Sequence, residues 1–359
     1  MNVKELIKRE WFLFILVTIW LVLPFFGFSF KVLLSFIDWK SVLLIISLIM
    51  ASKGIELSGA FTNLAIYIVH FSKGSFRRLY FLLVVSVLLS SPIIMNDTAM
   101  LVFIPLAVTL ARIFPIDLSK LVIVLTISAN VGSSLTPVGN PQNVIIWKFY
   151  QIPFLDFIRI MLPYMILWML PLLAIVIPEK GRIEVVEIPM VAVNKRLFVL
   201  STTLLGMNIL LSKFNLEVYA FILTLFSYLA LGREVLFAFD IFLALTFVFI
   251  FMDFGALSAL LPVPKPKGFL QSFLLSLGLS QLVSNVPATV MLVGSLDPIP
   301  LLLGVNLGGN GIVIGSLANL IAVRIGNISM RDFHRYSIPY LIVAFILTVL
   351  YTAIFHGHL

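Results

Sequence analysis

Residues 128–143 read Ser-Ala-Asn-Val-Gly-Ser-Ser-Leu-Thr-Pro-Val-Gly-Asn-Pro-Gln-Asn, and they interrupt an uncharged apolar run from Leu121 to Trp147. About 20 apolar residues suffice for one helix to cross a membrane. Backbone rich in Gly, Pro and Asn is tolerated at membrane depth only where it lies inside protein or beside a cavity. The segment therefore predicts a discontinuous transmembrane helix, although a single Gly/Pro kink in an ordinary helix gives a similar local pattern.

The composition of the 359-residue chain fits a membrane location, because 61% of its residues are hydrophobic and 11% are charged. A soluble domain carries about 25% charged residues, and a chain with so few would expose large apolar patches to water. These figures exclude a soluble enzyme and a disordered chain. Since helices satisfy their own backbone in lipid, we expect an all-α polytopic membrane protein.

A second polar break lies in the second half of the chain. A shift of 176 positions, which we call the repeat shift, aligns residues 129–164 with residues 305–340. It gives 11 identities in 36, including Asn130/Asn306 and Asn143/Asn319. Most of the identities are neither Leu nor Val, so apolar bias does not explain them. Interrupted helices at corresponding positions of two halves are typical of transporter binding sites. We therefore expect two inverted-topology repeats, each with a re-entrant helical hairpin and a discontinuous transmembrane helix.

The hairpins are predicted at two apolar segments with polar centres. Residues 79–112 are too long for one span and too short for two, and Arg78 and Arg112 place both ends on the same side. Residues 268–296 repeat this pattern around Ser284-Asn285-Val286-Pro287.

The remaining organisation follows from the charges. With nine spans and a cytoplasmic N-terminus, 17 of the 24 Lys and Arg residues fall inside, as the positive-inside rule requires; the basic residues thus set topology rather than contact nucleic acid. One span is expected from near Val32 to Ser52, another over Leu236–Met252, and Ile55–Phe71 is expected at the interface. The predicted domains are a first repeat 1–177 (hairpin 79–112, broken helix 119–150), a cytoplasmic linker 178–196, a connecting span 197–215 and a second repeat 216–359 (hairpin 268–296, broken helix 298–325).

Asp97 is the ionisable residue at the predicted tip of the first hairpin. A charge there is costly and marks a functional site by default, and the carboxyl group can carry a proton or balance a cation. Asn96-Asp97-Thr98 is also a good helix N-cap, and the two interpretations are compatible. Because the second tip has no acid, the proton carrier is expected to be Asp97. Lys53 and Asp253, near other membrane segments, are interpreted as interface or ion-pairing residues.

The predicted substrate and ion site combines both tips with both breaks, because half-helix N-termini suit anions and C-terminal carbonyls suit Na⁺. Its residues are Asn96, Asp97, Thr98, Asn130, Gly132, Ser133, Ser134, Thr136, Asn140, Asn143, Ser284, Asn285, Asn306, Gly308, Asn310 and Asn319. The sequence contains no catalytic constellation, no P-loop and no cysteine, and its four histidines are scattered. We therefore expect no enzyme activity, no cofactor and no metal site.

Met95–Leu106 (MNDTAMLVFIPL), Ser128–Asn143 and Ser284–Pro287 together resemble the ion transporter superfamily, in particular arsenite efflux permeases and plant-type silicon efflux transporters. The superfamily also includes citrate transporters, divalent anion:sodium symporters and a sodium:proton antiporter branch. The resemblance runs from about Trp39 to the end of the chain. It implies an inverted-repeat secondary transporter, usually a homodimer, with its substrate between the hairpin tips and the broken helices.

The first tip departs from the dicarboxylate symporters of this superfamily, which have Ser-Asn-Thr at both tips. Here it reads Asn96-Asp97-Thr98, and the second tip has Val286 in place of Thr. We therefore expect a permease in the cell membrane that moves a small inorganic oxyanion or weak acid by alternating access. Its coupling ion is expected to be H⁺, with Na⁺ as the alternative. The rival functions are a sodium-coupled citrate or dicarboxylate symporter, a cation:proton antiporter, and a channel or non-transporting subunit.

Overall fold

The computed structural model describes residues 10–178, 181, 190–261 and 266–356, except for the side chains at positions 65 and 356. All secondary-structure elements in this part are helices, which confirms the all-α prediction. Lys4, Lys8, Arg9 and Lys265, which were used to orient the chain, and most of the predicted linker 178–196 lie outside the described residues.

The first half of the chain forms nine α-helices. They are α1 (Trp11–Val22), α2 (Phe30–Ser35), α3 (Trp39–Leu57), α4 (Ala60–Phe71), α5 (Phe76–Ile94), α6 (Asn96–Ile113), α7 (Leu118–Ser133), α8 (Pro141–Tyr150) and α9 (Phe154–Val176). Helices α5 and α6 form the first predicted hairpin, and α7 and α8 form the first broken helix.

The second half repeats this order. It contains α10 (Lys195–Lys213), α11 (Glu217–Leu231), α12 (Arg233–Ala238), α13 (Ile241–Leu260), α14 (Gly268–Val283), α15 (Asn285–Leu292), α16 (Pro298–Gly308), α17 (Leu317–Gly326) and α18 (Met330–His356). Helix α10 is the connecting helix, α14 and α15 form the second hairpin, and α16 and α17 form the second broken helix.

Two of the expected spans begin later than the sequence pattern indicated. Asp38 caps α3, because its Oδ1 accepts hydrogen bonds from the backbone N–H groups of Lys40 (3.2 Å) and Ser41 (3.4 Å). Asp240 caps α13 in the same way. Aspartate is a strong N-cap, so the starts predicted near Val32 and at Leu236 were wrong, and short separate helices, α2 and α12, precede the two caps.

Five helices of the described part are long and apolar enough to cross a membrane: α5, α6, α9, α13 and α18. Helices α3 and α4, which meet at an angle of 55°, make a sixth if they form one bent span. The chain is therefore a multi-pass helical membrane protein. The length argument for the first hairpin was wrong, because α5 and α6 have 19 and 18 residues, enough for about 28 Å each.

The position of the tip, rather than helix length, supports a re-entrant hairpin. The backbone N–H of Asn96 donates a hydrogen bond to the carbonyl oxygen of Gly139 at 3.0 Å, so the turn between α5 and α6 lies against the break between α7 and α8. A hairpin that ends at the middle of a broken helix ends inside the protein.

Both hairpins turn through the same unusual backbone conformation. Met95 has φ 63° and ψ 149°, and Ser284 has φ 82° and ψ 155°. This region is essentially restricted to glycine and costs on the order of 1–3 kcal/mol for other residues. Each strained residue directly precedes the Asn that begins the inner helix, Asn96 or Asn285. Such strain persists only where the surrounding structure enforces it, and it often marks a functional site.

Glycine lets each hairpin approach its own broken helix closely. A Cβ added to Gly132 of α7 would lie 2.4 Å from the carbonyl oxygen of Leu88 in α5, and one added to Gly308 of α16 would lie 2.6 Å from Cβ of Ser280 in α14. The repeat shift carries Gly132 onto Gly308, so both halves use the same contact.

We expect Gly132→Ala to lower the stability of the folded protein by about 1–3 kcal/mol, the usual cost of overpacking. The measurement is the apparent melting temperature of detergent-purified protein. Gly206→Ala is the matched control, because a Cβ on Gly206 of α10 meets nothing within 4 Å, and this variant should be neutral or slightly stabilised. Equal melting temperatures for the two variants would contradict the close contact between α5 and α7.

Candidate functional site

Each broken helix is held open in the same way. Nδ2 of Asn143 donates to three carbonyl oxygens of residues 133–136, at 2.9–3.3 Å. Nδ2 of Asn319 donates to the carbonyl oxygens of Gly309 (2.8 Å) and Ile312 (3.3 Å). The repeat shift carries Ser133 onto Gly309 and Thr136 onto Ile312. One asparagine in each half thus satisfies the carbonyl groups that the break exposes.

The two breaks also bind each other reciprocally. Nδ2 of Asn130 donates to Oδ1 of Asn319 at 2.9 Å, and Nδ2 of Asn306 donates to Oδ1 of Asn143 at 2.7 Å. Asn130 and Asn306 are equivalent positions, as are Asn143 and Asn319. Two further bonds complete what we call the asparagine network: Asn140 Nδ2 to Asn306 Oδ1 (3.0 Å) and Ser316 Oγ to Asn130 Oδ1 (3.4 Å). This reciprocal pattern is what a local two-fold axis between the broken helices produces.

The asparagine network is buried, with its six residues 4% exposed or less. The first hairpin tip joins it, because Nδ2 of Asn96 donates to Oδ1 of Asn130 at 3.0 Å. The second tip approaches it, since a Cβ added to Gly309 would lie 3.1 Å from Nδ2 of Asn285. Both tips and both breaks therefore meet at one buried place, as the sequence predicted.

A cavity of about 590 Å³ opens beside the first tip. Met95, Asp97 and Thr98 line it from the tip, and α3, α13 and α17 line it from other sides. Asp97 is buried, with 7% of its surface exposed. The cavity thus presents a largely desolvated carboxyl group at the turn of a strained hairpin.

Two basic side chains line the same cavity, Lys53 from α3 and Arg324 from α17. Nζ of Lys53 lies 2.8 Å from Oε1 of Glu56. Acidic Glu10 and Asp240 also contribute to the wall. Side chains of both signs in one cavity can hold an anion next to a protonatable carboxyl group.

Asn96 and Asn285 begin the inner helices of the two hairpins, and the remaining sequence-predicted site residues fall into four groups. Asp97 and Thr98 line the cavity, whereas the asparagines at 130, 140, 143, 306 and 319 are hydrogen-bonded to one another. Ser284 Oγ and Asn310 Oδ1 are buried and have no hydrogen-bond partner among the described residues. The others shape the breaks and close contacts: Gly132, Ser133, Ser134, Thr136 and Gly308.

Sequence reasoning missed Arg324 and Ser316, and it gave Lys53 an interface or ion-pairing role without placing it at the cavity. The repeat could have indicated Ser316 and Arg324, because the repeat shift carries Asn140 onto Ser316 and Lys148 onto Arg324. Nothing in the sequence brings Lys53 to the cavity, since α3 and α6 are distant in the chain.

Lys148, near the C-terminus of α8, connects the first broken helix to α10 and α11. Its Nζ forms an ion pair with the carboxylate of Glu217. It also donates to the carbonyl oxygen of Ser212 at 2.8 Å and to Oδ1 of Asn215 at 3.2 Å. Glu217 is 1% exposed, so Lys148 is the cation that compensates for its burial.

We expect Lys148→Met to destabilise the protein by about 3–5 kcal/mol, because it leaves the Glu217 carboxylate buried and unpaired. Glu217→Gln should cost less, since Lys148 keeps two oxygen acceptors. The apparent melting temperatures of both variants and of the double variant Lys148→Met/Glu217→Leu measure this, and the double variant should recover much of the loss. A larger loss for Glu217→Gln than for Lys148→Met would contradict the assignment.

Comparison with known proteins identifies the family of this site. The family described as citrate transporter (CitMHS) matches residues 6–297. The chain belongs to the citrate transporter family. This confirms the resemblance to the ion transporter superfamily, and the function class of the family is membrane transport.

Two curated relatives of this citrate transporter family member match most of its length. The inner membrane protein YbiR of Escherichia coli is 35% identical over 324 residues, which cover 86% of each chain. An uncharacterized transporter of Methanocaldococcus jannaschii is 32% identical over 309 residues, which cover 82% of this chain and 83% of the relative. The crystal structure of the Alcanivorax borkumensis YdaH transporter, which has an unusual topology, aligns with a TM-score of 0.51 and 13% identity over 91% of this chain and 88% of YdaH. That likeness concerns the fold alone.

Proposed function

We propose that this member of the citrate transporter family is a proton-linked secondary transporter of a small weak-acid anion. The observation that carries the proposal is Asp97, a buried carboxyl group at a strained hairpin tip that lines the cavity. Ionisable groups inside a membrane protein mark proton relays and substrate pathways. Protonation of Asp97 would link the charge of the site to the movement of the anion.

Alternating access would follow from the repeat. The reciprocal bonds of the asparagine network support two inverted-topology repeats, because the helices on either side are related as two equivalent halves. Rocking of one such half against the other around a fixed site is the usual mechanism of inverted-repeat transporters. We further propose a homodimer in the cell membrane with a cytoplasmic N-terminus.

The class of substrate is supported by the charges of the cavity. Lys53 and Arg324 are the basic side chains that an anion would contact in this wall of mixed charge, and a cavity of about 590 Å³ accommodates a small organic or inorganic acid. An inorganic oxyanion and a carboxylate both fit this chemistry. The second candidate is a sodium-coupled carboxylate symporter, which the citrate transporter family description favours and for which the unpartnered oxygens of Ser284 and Asn310 would be cation ligands.

A ligand screen tests the proposal, because a ligand that binds only the folded state raises its stability. The purified protein is heated with citrate, malate, phosphate, arsenite or silicate at several pH values, with and without Na⁺. We expect at least one anion to raise the melting temperature in a pH-dependent manner without Na⁺, and Asp97→Asn to remove that pH dependence. Stabilisation that requires Na⁺ at every pH would favour the second candidate instead.

A further inference from the structure

A second carboxyl group, Asp253 of α13, is buried more completely than Asp97. It is 0% exposed, and neither of its oxygens has a hydrogen-bond partner among the described residues. A charged carboxylate left unpaired inside a protein costs several kcal/mol, whereas the neutral acid avoids most of that cost. A buried group of this kind calls for an explanation.

The helices packed against α13 do not supply a counter-charge. They are α15, α1, α2 and α3. Helices α1 and α15 contain no titratable residue. On α2 and α3, Lys31 and Lys40 are exposed, and Lys53 is paired with Glu56. Asp240, at the start of α13 itself, caps that helix. Among the described residues, none of these helices therefore sets an unpaired counter-charge against Asp253.

The helix that carries Asp253 contributes to the cavity wall and also contacts the second hairpin. Thr246, which lines the cavity with Asp97, precedes Asp253 by seven residues, so both share one face of α13. Further along the helix, Oγ of Ser258 donates to the carbonyl oxygen of Met291 in α15 at 3.1 Å. Asp253 precedes Ser258 by five residues, about 7.5 Å of helix rise, on a helix that packs against α15.

Helix α13, which carries Asp253, packs against the hairpin that has no acid of its own. Val286 follows Asn285 at the second tip, where Ser284 Oγ is also without a partner among the described residues. Asp97 supplies a carboxyl group to the first tip from within its hairpin. The second hairpin contains no carboxyl group, and Asp253 lies on a helix that packs against it.

We propose that Asp253 is a second proton-binding site, covered by α15 of the second hairpin, which gains a proton when covered and releases it when the hairpin moves away. The inference rests on the proposed proton-linked function and adds a second carboxyl group to it. The step is proton binding alone: a carboxylate and one proton form the neutral acid, and water accepts the proton when the site opens. A hydrated carboxyl group is ionised at neutral pH, so uncovering is sufficient for release.

Infrared difference spectroscopy tests the site with the proton as the only probe. The protein is reconstituted in liposomes without substrate and brought from neutral to alkaline pH. We expect wild type to show a protonated-carboxyl band at neutral pH that is lost in Asp253→Asn and retained in Asp97→Asn and Glu234→Gln. Glu234 is an exposed carboxylate of α12. An unchanged band in Asp253→Asn would overturn the proposal.

A second variant controls for the possibility that Asp253→Asn does not fold. Asp253→Leu replaces an unpaired buried group by an apolar one, a change that is often neutral or stabilising. It should be monodisperse and should lack the same band. Asp253→Leu that keeps the band would count against the site as much as Asp253→Asn that keeps it.

The coupling to the hairpin is tested by locking it in place. The chain contains no cysteine, so Ser258→Cys and Met291→Cys together allow α13 and α15 to be joined by a short thiol cross-linker. We expect the cross-linked protein to keep the acid band at a pH at which the uncross-linked double variant loses it. The same titration in both states would overturn the coupling. The proposed function fails separately, if wild-type liposomes show no proton-linked transport while the band of Asp253 is still present.

Discussion

Asp97→Asn is expected to abolish anion accumulation driven by a pH gradient, to the level of liposomes without protein. Asparagine keeps the size and polarity of aspartate but cannot gain or lose a proton. Among the described residues, the Asp97 side chain makes no hydrogen bond that holds the hairpin, and the tip is fixed by Asn96 through Gly139 and Asn130. The fold should therefore persist while coupling is lost. The measurement is uptake of the anion selected by the ligand screen.

Two controls separate coupling from damage to the protein. Asp156→Asn removes an exposed carboxylate of α9 that pairs with Arg159 at 2.7 Å, and it should leave accumulation unchanged. Exchange of labelled for unlabelled anion at equal pH requires no net proton movement, and Asp97→Asn should retain it. Accumulation by Asp97→Asn with the pH dependence of wild type would show that another group carries the proton.

Asn319→Asp is expected to lower the stability of the protein by about 3–5 kcal/mol. Nδ2 of Asn319 donates to the carbonyl oxygens of Gly309 and Ile312, and its Oδ1 accepts from Asn130. Aspartate has the same shape but would set a second acceptor against two carbonyl oxygens, and each buried group left unsatisfied costs about 1–3 kcal/mol. The apparent melting temperature and the yield of monodisperse protein measure the loss.

The repeat shift provides a second variant for the same test. Asn143 occupies the equivalent position in the first half, so Asn143→Asp should destabilise the protein to a similar extent. Asn327→Asp is the control, because Asn327 is exposed in a left-handed conformation that aspartate also tolerates. A large loss for one of the two network variants and none for the other would contradict their equivalence.

The sequence repeat was sufficient to predict the two breaks, but not the hydrogen bonds between them. The shift that matches Asn130 to Asn306 and Asn143 to Asn319 in the sequence also relates the hydrogen bonds of one break to those of the other. The helices at the two predicted hairpins span 76–113 and 268–292, and the predicted bounds were 79–112 and 268–296. Polar residues inside apolar runs are a strong signal because lipid tolerates them only for a reason.

Other features could not be predicted from local pattern. Asp38 and Asp240 begin helices in the structure, but hydropathy alone does not distinguish a short separate helix from the start of a span. Lys53 and Arg324 reach the cavity from elements far apart in the chain, and only the packing brings them together. The asparagines were expected to face a ligand, yet in this structure they bind one another, because each break must satisfy its own carbonyl groups.

The most direct test of proton-linked transport is the internal pH of wild-type liposomes loaded with a pH-sensitive dye. The selected anion is added outside at equal pH, first without and then with Na⁺. Proton-linked transport predicts a change of internal pH that depends on the anion, needs no Na⁺ and is absent from liposomes without protein. Anion uptake that requires Na⁺ and leaves the internal pH unchanged would contradict it.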